Sequence, residues 1–344
     1  MKKVLTIVMG LGVLLALAMP GLAVTIETVP VGDPNNAPDT RYDPNGFGRV
    51  PYEYRIGKYE VTAGQYCEFL NAVAKTDTYG LYNRYMDYDA YAGYFGCNIK
   101  RTASPGTYEY SVASDWANRP VNWVSWGDAA RFCNWLHNGQ PTGLQSLSTT
   151  EDGAYYLNGA VTDAALLAVT READWRWAIP SEDEWYKAAY YDPNKPGGAG
   201  YWDYPTSSNT VPGRDTTETT NPANNANYPT SSGGYLIGSP YYRTPVGEFE
   251  LSDSPYGTFD QGGNVWEWNE ATITDGYHWY RGLRGGSFAG VSSVAGYMLR
   301  ASVWFDDSPS HQETQFGFRV SQVPEPTCLV ILALGGLALL RRRR

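Results

Sequence analysis

The chain of 344 residues contains 37 Gly and 22 Pro; 15% of its residues are aromatic and 18% are charged. This composition differs from those of disordered tails and helical bundles, and it favours a loop-rich globular domain packed on aromatic rings. The formal net charge of −10 argues against a nucleic-acid partner, because nucleic acids are bound by a basic face.

The first 23 residues have a dibasic start, a short apolar run and small residues at Gly21 and Ala23. This order predicts a secretory signal peptide over residues 1–23, so the mature protein should begin near Val24, outside the cytoplasm. The alternative is a membrane anchor helix, for which the apolar run is short.

Three segments carry the pattern of a helix N-terminus, a hydroxyl cap followed three residues later by an acid or an amide. The pairs are Thr62 with Gln65, Ser125 with Asp128, and Ser181 with Glu184. Apolar residues at helical spacing follow the first two caps, so each of these helices should lay one face on a core. The third helix should end before Pro193.

Short strands are predicted in YEYRIGKYEV (52–61) and FGFRVSQV (316–323). Residues 192–240 lack periodicity, and so long an irregular stretch is normally functional, disordered or held by something such as a metal ion. No linker is visible between Val24 and Gln322, so residues 24–322 are predicted to form one domain.

Residues 323–344 place an apolar run, Cys328 to Leu340, between Val-Pro-Glu-Pro and four arginines. The run is shorter than the ~20 residues of an untilted transmembrane helix, which makes it a marginal anchor. The tail resembles the PEP-CTERM sorting signal of exopolysaccharide-producing bacteria. That resemblance implies transient membrane anchorage, cleavage by an exosortase-type processing enzyme, and a destination in the cell envelope or the extracellular matrix.

Three cysteines, Cys67, Cys97 and Cys133, fall in the predicted domain. An odd number allows at most one internal disulfide, and the sequence leaves its pairing open. Cys67 and Cys133 lie on or beside apolar helix faces, where a core thiol is inert.

Seven segments, in order, resemble those of the formylglycine-generating enzyme family, whose common unit is the sulfatase-modifying factor domain. They are YRIGKYEVTAGQYCEFLNAV, RPVNWVSWGDAARFCNWL, WRWAIPSEDEWYKAAYY, TPVGEFE, FDQGGNVWEWNE, RGLRGGSFAG and GFRV. The resemblance implies an α+β fold, an elaborated C-type-lectin-like domain that is loop-rich, low in regular secondary structure and binds calcium.

The segment FDQGGNVWEWNE fits neither helical nor strand periodicity. The family resemblance implies that this segment binds calcium through the carboxylates of Asp260 and Glu267 and the carbonyls of Gly263 and Val265. Calcium collects six to eight oxygens, and glycines let a backbone bend around it. The alternative is a solvated acidic turn, with Trp266 and Trp268 as core anchors.

A possible second calcium site is implied at Asn227 and the carbonyl of Tyr228. The acidic ligand that the family pattern expects near Gly238 is absent from this sequence.

The family oxidises a cysteine of a nascent sulfatase with molecular oxygen and a copper(I) ion held by two thiolates, which follow the Gly-Gly-Ser motif. Thiolates are the soft ligands that copper(I) prefers. No cysteine lies between Gly285 and the end of the predicted domain, so copper is not expected and no catalytic residue is assigned. Trp266 and Ser287 keep their family positions beside a vestigial pocket.

The favoured function is therefore an exported, noncatalytic member of the family that binds a polysaccharide or protein ligand at the cell surface or in the matrix. Tyr and Trp faces suit sugar stacking. Two alternatives remain: an oxidoreductase of the formylglycine-generating type with an altered active site, and an assembly factor that only holds a peptide.

Overall fold

The computed structural model describes residues 23–219, 222–290 and 296–323. Nearly all of the predicted signal peptide and of the PEP-CTERM tail lies outside these residues. Within the described ranges, no helix is long and apolar enough to cross a membrane.

Two four-stranded sheets form the framework of the described part of the chain. The first has the order β1 (Thr28–Val31), β2 (Tyr54–Gly57), β12 (Ser321–Gln322), β5 (Trp177–Ala178). The second has the order β10 (Phe305–Asp307), β9 (Trp279–Arg284), β8 (Trp266–Thr274), β11 (Phe316–Gly317). Two small antiparallel pairs complete the strands: β3 (Ile99–Thr102) with β4 (Glu109–Val112), and β6 (Tyr191–Asp192) with β7 (Gly200–Tyr201).

The segment 316–323, predicted as one strand, divides between the two sheets. Its start, β11, pairs in parallel with the start of β8, and its end, β12, pairs antiparallel with β2 and β5. The residues between them cross from one sheet to the other, and Arg319 in this crossing is fully buried. Period-2 alternation cannot reveal such a division, because it reports which residues are buried and not which sheet they join.

The described helices are α1 (Ala63–Val73), α2 (Ser114–Ala117), α3 (Trp126–His137), α4 (Asp163–Leu167) and α5 (Glu182–Tyr190). Short 3-10 turns span Arg84–Met86, Ala92–Tyr94 and Tyr297–Leu299. All three predicted capping boxes are confirmed, at Thr62, Ser125 and Ser181. Each box satisfies two backbone donors that the first turn would otherwise leave unpaired.

Helix α1 buries one face, as its spacing predicts, whereas α3 is buried over Trp126 to Leu136. The predicted apolar face of α3 thus lies on the core, and its polar face is buried as well. Its polar residues are satisfied inside the protein: Arg131 forms an ion pair with Glu151 (Nε–Oε1 2.7 Å), and Asn134 donates to two backbone carbonyls. A polar side chain is tolerated in a core when it finds such partners.

The main core lies where α1 and α3 pack together beneath the sheets. Phe69 and Phe132 meet edge to face with ring centroids 5.3 Å apart, and Phe132 meets Phe318 at 5.4 Å. Between Asp192 and Pro240 the described residues contain only β6 and β7 as regular structure, which agrees with the predicted irregular stretch.

Candidate functional site

The loop from Phe259 to Val265 leads directly into β8 and is held in place by close backbone contacts. The Gly263 amide donates to the Gly285 carbonyl (N–O 2.9 Å). Gly263 has a φ of +92°, and a side chain there would put its Cβ 2.3 Å from the carbonyl oxygen of Asn227. Only glycine fits this approach. The loop is therefore fixed against both the Gly-Gly-Ser segment and residue 227.

The Glu267 carboxylate, assigned to calcium from sequence, lies fully buried against a guanidinium. Arg319 donates from Nε to Oε2 (2.6 Å) and from Nη2 to Oε1 (2.7 Å), and the Trp185 indole donates to Oε2 (2.7 Å). A carboxylate offers about four lone-pair sites, so these three donors leave room for one further contact. A calcium ion bound here would share Glu267 with Arg319.

A second buried carboxyl, Glu60, lies beside this loop and was not singled out from sequence. Burial, with Asp260 and Glu267 nearby, raises the pKa of Glu60 well above its usual range. Burial also raises the pKa of Asp260 to about 6, although the Gly247 amide donates to its Oδ2 (2.6 Å). Three carboxyl groups thus lie near a single guanidinium, and their raised pKa values show that Glu60 and Asp260 lack charge partners of their own.

Two buried oxygens in this region accept no hydrogen bond from the described residues: Glu60 Oε1 and Asn227 Oδ1. Both side chains contact Asn264, which donates to Glu60 Oε2 (3.4 Å) and accepts from the Asn227 amide (3.0 Å). Unsatisfied buried oxygens and clustered carboxyl groups are the chemistry that a hard cation satisfies. The donor set around the 259–265 loop therefore fits calcium.

The described residues hold no cluster of three or more His, Cys, Asp or Glu side chains arranged around one metal position. The ligand set carried over from the family contains only two carboxylates, and its other members are the carbonyls of Gly263 and Val265.

The residues of the possible second calcium site lie next to the first. The Asn264 amide donates to the Asn227 carbonyl (2.8 Å). The Tyr228 carbonyl accepts from Arg214 Nε (2.7 Å), so a positive group already contacts one of the two predicted ligands.

A cavity of about 370 Å³ opens at the end of the second sheet where β8 and β11 begin. Trp266 and Ser287, the two predicted pocket residues, both line it. Phe305 and Asp307 of β10 form another wall, and the segment from His311 to Phe316 closes a third side. Because the 259–265 loop immediately precedes Trp266, its hydrogen bonds also position this wall of the cavity.

The Ser287 hydroxyl lies within hydrogen-bonding distance of Gln315 Oε1 (2.6 Å) and of the Ala289 carbonyl (2.9 Å). His311 instead contacts Asp307 (Nδ1–Oδ1 3.0 Å). Among the described contacts, Ser287 is therefore not paired with a general base, as a nucleophilic serine would be.

Cys67, Cys97 and Cys133 are all buried, and none forms a disulfide. Burial raises the pKa of Cys67 to about 12, and it raises the pKa values of Cys97 and Cys133 as well. None of the three lines the cavity at Ser287. Each thiol is thus held in its protonated form, away from the cavity.

The family model of the sulfatase-modifying factor enzyme 1-like domain matches residues 28–323. The chain belongs to the sulfatase-modifying factor family. The chain is similar to the crystal structure of CarF, with 18% sequence identity and a TM-score of 0.50. The match covers 88% of this chain and 99% of the CarF chain. The match to Treponema denticola variable protein 1 has 18% sequence identity and a TM-score of 0.48, and it covers 86% of this chain and 95% of that protein's chain. The match to PvdO from Pseudomonas aeruginosa has 17% sequence identity and a TM-score of 0.42, and it covers 87% of this chain and 92% of the PvdO chain. No curated protein matches the chain.

The predicted fold class is confirmed: this member of the sulfatase-modifying factor family has the loop-rich, mixed α+β fold of the family. Sequence reasoning found the loop and two cavity residues, because the family motifs contain them. It missed Glu60, Arg319 and the cavity residues Asp307 and Glu313. Glu60 and Arg319 stand inside quoted motifs, yet only their burial reveals what they contact.

Proposed function

We propose that this protein is an exported, noncatalytic member of the sulfatase-modifying factor family and that its cavity at Trp266 and Ser287 binds a ligand. One observation carries the proposal: the cavity keeps these two family positions, whereas the sequence supplies no thiol after Gly285 within the domain. Copper(I) chemistry of the family type needs two thiolates. The cavity volume lies within the range of small-ligand sites.

Calcium, in this proposal, is structural. Asp260, Glu267 and the carbonyls of Gly263 and Val265 would hold it, and the ion would supply positive charge to the acidic loop beside Trp266. The unsatisfied oxygens of Glu60 and Asn227 support this assignment.

The proposed location follows from the two ends of the sequence. Residues 1–23 would direct export, and the PEP-CTERM tail would hold the protein at the membrane until an exosortase-type enzyme cleaves it. The ligand would then be met in the cell envelope or the extracellular matrix, as a polysaccharide or a protein.

The test is aerobic incubation of the purified domain with a Cys-x-Pro-x-Arg peptide, with and without added copper(I), followed by mass spectrometry. The expected result is unchanged peptide, while a catalytically active family enzyme run in parallel gives the aldehyde. An aldehyde product from this protein would establish the alternative, an oxidoreductase with an altered active site, and would overturn the proposal.

A further inference from the structure

The charged side chains that line the cavity at Trp266 favour a positively charged ligand. Asp307 and Glu313 line it together with His311, and the described lining includes no Lys or Arg. Along the described lining, a ligand inside the cavity therefore meets carboxylates without a competing Lys or Arg side chain.

Neither carboxylate is neutralised by Lys or Arg among the described residues. Asp307 contacts His311 and accepts from the Ser308 amide (2.7 Å). Glu313 Oε1 accepts from the Thr314 amide (2.6 Å), and no described cation forms an ion pair with Glu313. The negative charge of this wall is thus available to a ligand.

Aromatic rings form the other walls. Trp266 and Phe305 have ring centroids 5.5 Å apart, and Phe305 and Phe316 are 6.2 Å apart. Phe305 is 42% exposed although it lines the cavity. Aromatic faces attract cations, most strongly when water is excluded.

Neighbouring rings outside the cavity already have internal cations. The guanidinium of Arg284 lies 5.9 Å from the ring centroid of Trp304, and that of Arg243 lies 5.3 Å from Phe288. In the described part of the chain, no Lys or Arg lies over Trp266, Phe305 or Phe316 in the same way. Phe316 is met by the edge of the His311 ring (centroids 6.0 Å apart), so Trp266 and Phe305 are the lining rings of this group without a described cationic partner.

We propose that the cavity binds the alkylammonium group of an organic cation between its aromatic walls, with Asp307 and Glu313 balancing the charge. This inference rests on the proposed ligand-binding function, specifies the ligand's chemistry and extends its sources to small compounds. Two sources share that chemistry: a free small ammonium compound and a lysine side chain of a peptide. An anionic polysaccharide is disfavoured, because its carboxylates would face those of the cavity.

The test compares charged ligands with neutral ligands of the same shape, by calorimetry and by quenching of tryptophan fluorescence. Choline is compared with 3,3-dimethylbutan-1-ol, and N-acetyl-lysine methylamide with its norleucine counterpart. The expected result is that at least one cation binds about tenfold or more tightly than its neutral partner, which corresponds to about 1.4 kcal/mol. Preference for choline indicates a free ammonium compound, and preference for the lysine compound indicates a peptide.

Equal binding of charged and neutral partners would overturn the inference while leaving a ligand-binding function intact. Absence of binding by all four compounds would also overturn it. The proposed noncatalytic function fails on a different result, the aldehyde product of the peptide assay, so the two failures are distinguishable.

Strand β10 supplies the matched control, Asp306, between the lining residues Phe305 and Asp307. Glu313→Gln should weaken binding of the cation about tenfold, and Phe305→Leu should weaken binding of the cation but not of its neutral partner. Asp306→Asn removes the same charge one residue from Asp307, at a position that does not line the cavity, and should leave binding unchanged. If Asp306→Asn weakens binding as much as Glu313→Gln, general electrostatics rather than the cavity accounts for the preference, and the assignment is wrong.

Discussion

Among the ion-paired side chains of the described residues, Arg319 should contribute most to the free energy of unfolding of the domain. It is fully buried, holds Glu267 through two nitrogens, and also donates to the Phe259 carbonyl (2.8 Å). Arg319→Met would leave the Glu267 carboxylate buried without its partner. The expected loss in the free energy of unfolding is about 3–5 kcal/mol, measured by denaturant titration.

The control is a solvent-accessible pair on the same domain, Lys58 with Glu27, whose side chains are 27% and 60% exposed (Nζ–Oε1 2.8 Å). Lys58→Met should cost less than about 1 kcal/mol, because water screens exposed charges. Equal losses of unfolding free energy for Arg319→Met and Lys58→Met would contradict the prediction. They would show that the buried pair does not hold the 259–265 loop to the segment between β11 and β12.

Asp128 should give the domain a pH-dependent stability that can be isolated. Burial raises the pKa of Asp128 to about 6, although Gln312 and Ser125 donate hydrogen bonds to its carboxylate. Between about pH 4 and pH 6 the folded state then binds a proton that the unfolded state has released. The contribution of Asp128 to the free energy of unfolding therefore increases as pH falls through 6, by up to about 3 kcal/mol.

The measurement is the free energy of unfolding of wild type minus that of Asp128→Asn, at intervals from pH 7 to pH 4.5. This difference should grow as pH falls. Asp152→Asn, at an exposed position, serves as the control for the removal of a carboxylate as such. A flat difference for Asp128→Asn would mean that the Asp128 carboxyl is ionised throughout this range.

At the scale of elements, the 259–265 loop links the acidic cluster to the cavity, and calcium should stabilise it. A ligand at 100 times its dissociation constant that binds only the folded state adds about 2.7 kcal/mol, which thermal unfolding resolves. Calcium should raise the melting temperature of wild type, and a chelator should lower it again. Asp260→Asn should abolish this response.

Glu267→Gln should lose the same calcium response, but it should also lower the melting temperature without calcium, because Glu267 pairs with Arg319. The calcium-dependent shift within each variant is therefore the quantity to compare. Asp253→Asn, an exposed acid that precedes the loop, should respond as wild type does. A wild-type melting temperature that is insensitive to chelator would refute the calcium assignment.

At the scale of the whole molecule, the tail should direct sorting and not lasting anchorage. Its apolar run is short for a membrane span and follows the Pro-Glu-Pro at which processing is expected. Mass spectrometry of the surface form should find a C-terminus that lacks Arg341 to Arg344. Glu325→Ala should leave the intact chain in the membrane fraction, and recovery of an intact C-terminus from the wild-type extracellular fraction would contradict the prediction.

The sequence by itself determined the starts of α1, α3 and α5, the family and the fold class. Capping boxes are local, since a hydroxyl and an acid or amide three residues apart meet whatever the rest of the chain does, and all three were confirmed. The family motifs likewise identified the loop at Asp260 and the cavity residues Trp266 and Ser287 without knowledge of their contacts.

Only the tertiary structure decided which charges meet. Glu267 and Arg319 are separated by 52 residues, and Glu60 reaches Asn264 across 204. Whether a carboxylate faces a guanidinium, a cation or water depends on these long-range contacts, and sequence spacing does not encode them. The acidic and aromatic lining of the cavity arises in the same way, because β8, β10 and β11 bring Trp266, Asp307 and Phe316 together only when the second sheet forms.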